Sequence, residues 1–283
     1  MFFVQHVMRN AGSCRSLGVY STALRQECAL LDHPWLSPGE QLRVDRLVKA
    51  LQSEDFHPLR RKHPLQEQHL QRFTTLVDRR DPHQLLTLLL LYVGHDGLLR
   101  AGEITSGLMT TDVLWAPDRS ALSLRFTRSK TCLTGPGFLV QFRDRPTPNA
   151  VSLMREWWDL MGLHHSRTVC LFPKRLSATR FDWSQSISYD SLASRVKSAA
   201  QSIGLPADDY SGHSLRAGGA TDLFIARVPY YIIQRMGRWA SDAALVYYRR
   251  KEDVLSAVST AFQFVADPTS GGTPSYREGG LVV

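Results

Sequence analysis

Through most of this chain apolar residues recur at three-four spacing, and one stretch, residues 111–143, departs from that rule. There they alternate: "TDVLWAP", a turn at "PDRS", "ALSLRFTRS", a Gly-Pro-Gly turn, then "FLVQF". Alternation puts every second side chain on one face, so these segments predict three short strands in one antiparallel sheet. The flanking periodicity predicts helices over 66–79 and 82–94, a short helix around Arg100 and Glu103, and helices over 149–162, 189–203, 214–227, 229–236, 241–250 and 253–265. The fold class that follows is mainly α with a small antiparallel β-sheet (α+β).

Upstream, "LGVYSTALRQECALL" and "PGEQLRVDRLVKALQSE" carry helical spacing of their own. "HPLRRKHPLQ", with two prolines and three Lys or Arg residues, reads as a basic linker, and the Gly, Pro and Ser of "DPTSGGTPSYREGG" read as a flexible tail. The expected organisation is a small helical unit with its linker over 1–63, a main domain over 64–266 and a tail over 267–283. No internal repeat is visible.

The formal charge is +8, and 28 of the 34 basic residues are Arg. That excess favours a polyanionic partner, since the planar guanidinium fork matches phosphate. Cys14, Cys28, Cys132 and Cys170 lie far apart with no C-x-x-C, so neither a structural metal nor a disulfide framework is expected. The apolar run "LLTLLLLYV" is nine residues, well short of the roughly 20 that span a bilayer. A reducing compartment is expected.

"SGHSLRAGGATDLF", residues 211–224, is the local pattern with chemistry in it. His213 and Arg216 are three apart and share a helix face, and the small residues 217–220 let another backbone approach. The tetrad alone decides nothing, because five of the ten histidines head an H-x-x-R (His6, His57, His69, His164 and His213). Only the last has Trp239 23 residues after its Arg and Tyr248 nine residues after that. Upstream lie Arg100 with Glu103, and Lys130 in "RSKT".

This ordered set, carried by "LLRAGEI", "RSKT", "GHSLRAGGAT", "GRW" and "YYRR", resembles the tyrosine recombinases, the phage-integrase family of DNA breaking and joining enzymes, over residues 64 to 265. The resemblance implies the recombinase catalytic domain. It likens residues 1–63 to the last helices of a core-binding domain, short of a complete one. It makes Tyr248 the nucleophile that forms a 3'-phosphotyrosyl link, Lys130 the donor to the departing 5' oxygen and His213 an aid to proton transfer. Trp239 takes the family's next position, with its indole N–H toward phosphate, and Glu103 holds a cation from behind. The adjacent Tyr247 points about 100° away on a helix, and the family's nine-residue interval from Trp239 selects Tyr248.

The residue chemistry agrees. Breaking a phosphodiester requires charge neutralisation on the non-bridging oxygens, a nucleophile and a proton for the leaving oxygen. Arg100 and Arg216 suit the first task because Arg binds phosphate bidentately and stays charged. A phenol, with an ordinary pKa near 10, needs cationic surroundings to act as a nucleophile. Neither a cofactor nor a metal is expected, and the partners implied are double-stranded DNA and further copies of the chain in a tetramer on DNA, with no membrane; the location implied is intracellular with access to DNA, the nucleus in a eukaryote and the cytoplasm or nucleoid in a bacterium. A mobile-element origin is implied; a catalytically silent DNA-binding descendant of a recombinase is the alternative.

Overall fold

The computed structural model describes residues 17–53, 62–127, 137–163, 168–177 and 180–239. Lys130, Tyr248, the pair His164 and Arg167, and the helices expected over 241–250 and 253–265 lie outside the described residues. The chain divides into two compact units, Met1–Arg60 and Arg61–Val283.

In the first unit two helices, α1 (Leu17–Leu30) and α2 (Pro38–Ser53), pack together through a short connection. The start of α2 is held by Glu40, which accepts from both the backbone N–H and the hydroxyl of Ser37, at 2.9 and 2.6 Å.

The second unit is built around α4 (Pro82–Asp96), preceded by α3 (Glu67–Thr74). Asp81 caps α4, accepting from the N–H of His83 at 2.8 Å, and Pro82 fills the first turn, where a missing N–H costs nothing. Leu85, Leu86, Tyr92 and Val93 are among its buried residues, and a helix apolar all round must lie inside. It packs chiefly on α6 (Ala150–Leu160) and α8 (Gly212–Ile225). α3 ends five residues before the expected 79: the Thr74 hydroxyl donates back to the Leu70 carbonyl, and that of Thr75 to Arg72. Such side-chain bonds compete with helix continuation.

The expected sheet is present as β1 (Val113–Trp115), β2 (Ala121–Phe126) and β3 (Phe138–Arg143), antiparallel in that order. Leu122 pairs with Phe142, Leu124 with Val140 and Phe126 with Phe138, and the buried positions of β2 alternate. A second ladder, β4 (Pro173–Arg175) with β5 (Phe181–Ser186), was not expected. The burial of "FDWSQS" does not alternate, so it carries no strand signal, and the pairing is interrupted by an irregularity at Pro173 and Lys174. α5 (Ala101–Ile104), α7 (Tyr189–Ser202) and α9 (Tyr230–Gly237) are the remaining α-helices among the described residues of this unit. Among the described residues no helix is long and apolar enough to cross a membrane.

α8 begins at Gly212, two residues before the expected start, because Ser211 caps it: the Ser211 hydroxyl accepts from the N–H of His213 at 3.3 Å, and the Ser214 hydroxyl from the N–H of Ser211 at 3.0 Å. A Cβ on Gly218 would stand 1.9 Å from the Leu65 carbonyl oxygen, and one on Gly219 would stand 2.2 Å from that of His95. The small run therefore lets α8 lie directly on the backbone of residue 65 and on the end of α4.

A buried charge cluster fixes the same junction. His95, at the end of α4, places Nε2 2.8 Å from Asp222 of α8 and Nδ1 3.0 Å from Asp96. Two nitrogens that each face a carboxylate must both carry protons, so the ring is an imidazolium. Burial alone would lower its pKa, but the bonds to Asp222 and Asp96 outweigh that and push it up to about 9. Arg145 adds a cation, 2.8 Å from Glu67 and 3.2 Å from Asp96. Glu67, His95 and Asp96 offer ligand atoms within 4.8 Å of one another, a grouping the sequence did not suggest, but both ring nitrogens already face carboxylates.

The pKa of His95 is raised from the ordinary 6.5, so its contribution is fully present below about pH 6.5 and lost as pH rises through about 9. Stability in denaturant should therefore decline between those values in the parent protein. His95→Gln should be less stable by about 3–5 kcal/mol at neutral pH, as when one partner of a buried ion pair is removed, and should lack that share of the alkaline decline. Equal alkaline slopes in both proteins would count against a charged His95.

Candidate active site

Three guanidiniums meet where the end of α4, the short α5 and the C-terminus of α9 come together. Arg100 lies at the N-terminal boundary of α5, one turn before Glu103, which is only 4% exposed. Its Nη1 donates to Glu103 Oε1 at 2.7 Å and its backbone N–H to Oε2 at 2.8 Å. The buried carboxylate thus closes the α5 turn and orients the guanidinium together.

Arg216, one turn into α8, is 2% exposed. Its two terminal nitrogens donate to the carbonyls of Leu98 and Gly237, and its guanidinium carbon stands 3.9 Å from the Trp239 ring centroid. That stacked arrangement fixes the plane of the fork. Gly237 permits it, since a Cβ there would be 1.7 Å from the indole. Arg100 and Arg216, 116 positions apart in sequence, address adjacent carbonyls, because Arg100 Nη2 lies 3.4 Å from that of Arg238.

His213 lies one turn before Arg216 on α8 and is exposed. Partial burial of the ring and the neighbouring Arg216 charge both lower its pKa, which favours the neutral imidazole near neutral pH. A neutral imidazole has a nitrogen able to accept a proton.

Arg238 was missed by the sequence reading, in which "GRW" pointed only to its Trp. Its Nη2 donates to Glu103 Oε2 at 2.8 Å, so one carboxylate serves two guanidiniums. The same nitrogen reaches the Leu98 carbonyl at 3.2 Å, the acceptor that Arg216 also uses. The backbone of Arg238 is left-handed, φ 57° and ψ 42°, which turns its side chain back over residues 97 and 98. Its guanidinium also lies 4.9 Å from the Phe138 ring, at the start of β3. The start of β3 therefore lies beside this cluster.

The structure brings Arg100, Glu103, Arg216 and Trp239 together, with His213 on the helix that carries Arg216. Among known families, the model described as the phage integrase family matches residues 63–254. The chain belongs to the phage integrase family. No curated protein matches this integrase-family chain. Among solved structures it is similar to the XerH site-specific recombinase in a post-cleavage complex with a palindromic difH substrate, at TM-score 0.53 and 16% identity, over 71% of this chain and 54% of that one. The XerA recombinase gives TM-score 0.53 and 14% identity, over 93% and 89% of the two chains. The integrase of transposon Tn1549, in complex with circular intermediate DNA, gives 0.50 and 13%, over 90% and 82%. These likenesses are of fold, and the present integrase-family chain spans about half the length of XerH.

Proposed function

We propose that the protein is a site-specific DNA recombinase that cuts and rejoins strands through a 3'-phosphotyrosyl intermediate. The observation that carries this reading is the convergence of Arg100 and Arg216 on adjacent carbonyls at the end of α9, beside the buried Glu103. Two permanent cations fixed in place suit the non-bridging oxygens of a phosphodiester, whose charge grows in the transition state. Trp239 holds the plane of Arg216 from one side, His213 takes or returns a proton, Lys130 protonates the 5' oxygen, and Tyr248 attacks phosphorus. The P–O5' bond breaks as the P–O bond to tyrosine forms, and the reverse exchange rejoins the strand without ATP. The DNA bound to XerH and to the Tn1549 integrase supports duplex DNA as the partner. Assembly as a tetramer on that DNA and an origin in a mobile element belong to the same reading, as does the division into residues 1–63, 64–266 and 267–283.

The direct test is a suicide duplex built from the DNA that flanks the coding region, in which the product strand is lost after cleavage. An SDS-stable protein–DNA adduct is expected. Binding without an adduct would favour the catalytically silent descendant. The adduct should form equally well in EDTA, because this mechanism assigns charge neutralisation to guanidiniums and not to a cation. Loss on chelation with recovery in magnesium would require another mechanism.

A further inference from the structure

Arg238 carries more than the closing of a helix needs. Its left-handed backbone costs a residue with a Cβ about 1–2 kcal/mol, a cost that Gly avoids and Asn partly escapes. Gly237, one position earlier, is committed to the approach of the Trp239 ring. An Arg held in this conformation places its charge beside two others, and Glu103 is the single carboxylate that Arg100 and Arg238 share. Three guanidiniums against that one carboxylate leave a local charge of 3 − 1 = +2. A brace for the loop at 97–98 needs no such surplus.

We propose that Arg238 is a third phosphate-contacting cation, acting with Arg100 and Arg216 on one DNA phosphate. The proposal rests on the recombinase reading and adds a residue to its site. The side chain of Arg238 is 19% exposed, comparable with the 26% of Arg100. Its bonds to the carbonyls of Gly97 and Leu98 are long, at 3.5 and 3.2 Å, beside one of 2.9 Å from Nη1 to the Met236 carbonyl, and Nε has no acceptor among the described residues. Exchanging the two long bonds for charge-assisted ones to a phosphate oxygen is favourable. Glu103 and the Phe138 ring meanwhile hold the guanidinium in place.

Arg238→Asn tests this while keeping a residue that tolerates the left-handed backbone, and Arg238→Lys keeps the charge without the fork. Binding to a duplex of unrelated sequence is measured against salt. One lost phosphate contact should make the slope of log K against log salt shallower by about 0.9 in Arg238→Asn, and Arg238→Lys should restore it. On the suicide duplex, Arg238→Asn should lower cleavage about 10–100-fold. A methylphosphonate at the cleaved position carries no charge, so the penalty there should largely vanish. An unchanged salt slope, or an equal penalty on both substrates, would overturn the proposal and leave Arg238 a positioning residue that acts through Glu103. Failure of the parent protein to bind DNA would remove the recombinase reading itself. Binding by the parent without cleavage would leave the salt slope to decide the role of Arg238.

Discussion

Replacing Tyr248 with Phe should abolish the covalent adduct while leaving affinity for duplex DNA nearly unchanged. The substitution removes one oxygen and keeps the ring, so binding, which rests on cation–phosphate contacts, loses little. Chemistry loses everything, because no other atom of that side chain can attack phosphorus. The adjacent Tyr247 makes the experiment informative in both directions. The nine-residue interval reaches Tyr248 when counted from Trp239 but Tyr247 when counted from Arg238. Should Tyr247→Phe be inactive and Tyr248→Phe fully active, the nucleophile moves by one position. The family position ahead of it would then pass from the indole to the third guanidinium.

Arg216→Ala should lower cleavage by at least about two orders of magnitude, the scale on which a preorganised charge-stabilising donor matters. Arg216→Lys should recover little of it. A lysine is a point charge and cannot bond the Leu98 and Gly237 carbonyls as the fork does, nor stack in the same way on Trp239. The burial of Arg216 adds a structural component, since truncation strands the Gly237 carbonyl at about 1–3 kcal/mol and leaves the Leu98 carbonyl with the Arg238 bond. Unfolding in denaturant separates the two effects: cleavage lost well beyond the fraction unfolded belongs to the chemistry. Near-parental cleavage in Arg216→Lys would count against bidentate clamping of the phosphate.

The sequence was most informative where structure is periodic or ordered along the chain. The three-stranded sheet followed from the alternation in β2 and β3, and the central helix from the apolar run that became α4. Arg100, Glu103, Arg216 and Trp239 were singled out by their order, and the structure places them side by side. What escaped depends on backbone geometry or on long-range contact. The left-handed turn that swings Arg238 toward Glu103 has no periodic signature, and only the neighbouring Trp belongs to the ordered set. The β4–β5 ladder has no alternation to detect. His95 and Asp222 are separated by 127 positions, and nothing local to either marks the partner. The close approach of α8 was the exception: its small residues announced that a backbone would lie against it, without saying which one.

That backbone is the strand of chain that leads into the second unit. His63 N–H donates to the Asp209 carbonyl at 2.8 Å and Leu65 N–H to that of Ser214 at 2.9 Å, while the Leu65 carbonyl rests where Gly218 has no Cβ. Gln66 and the N–H of Glu67 then bond Asp222, one at each of its oxygens, at 2.9 and 2.7 Å. From residue 63 to residue 67 the chain thus follows α8 from just before its start to Asp222, with the main-chain N–H groups of His63, Leu65 and Glu67 among the donors. Residues 63–67 and the helix that carries His213 and Arg216 are therefore one packed piece, so a substitution such as Gly218→Ala, which presses on the Leu65 carbonyl, should disturb both at once.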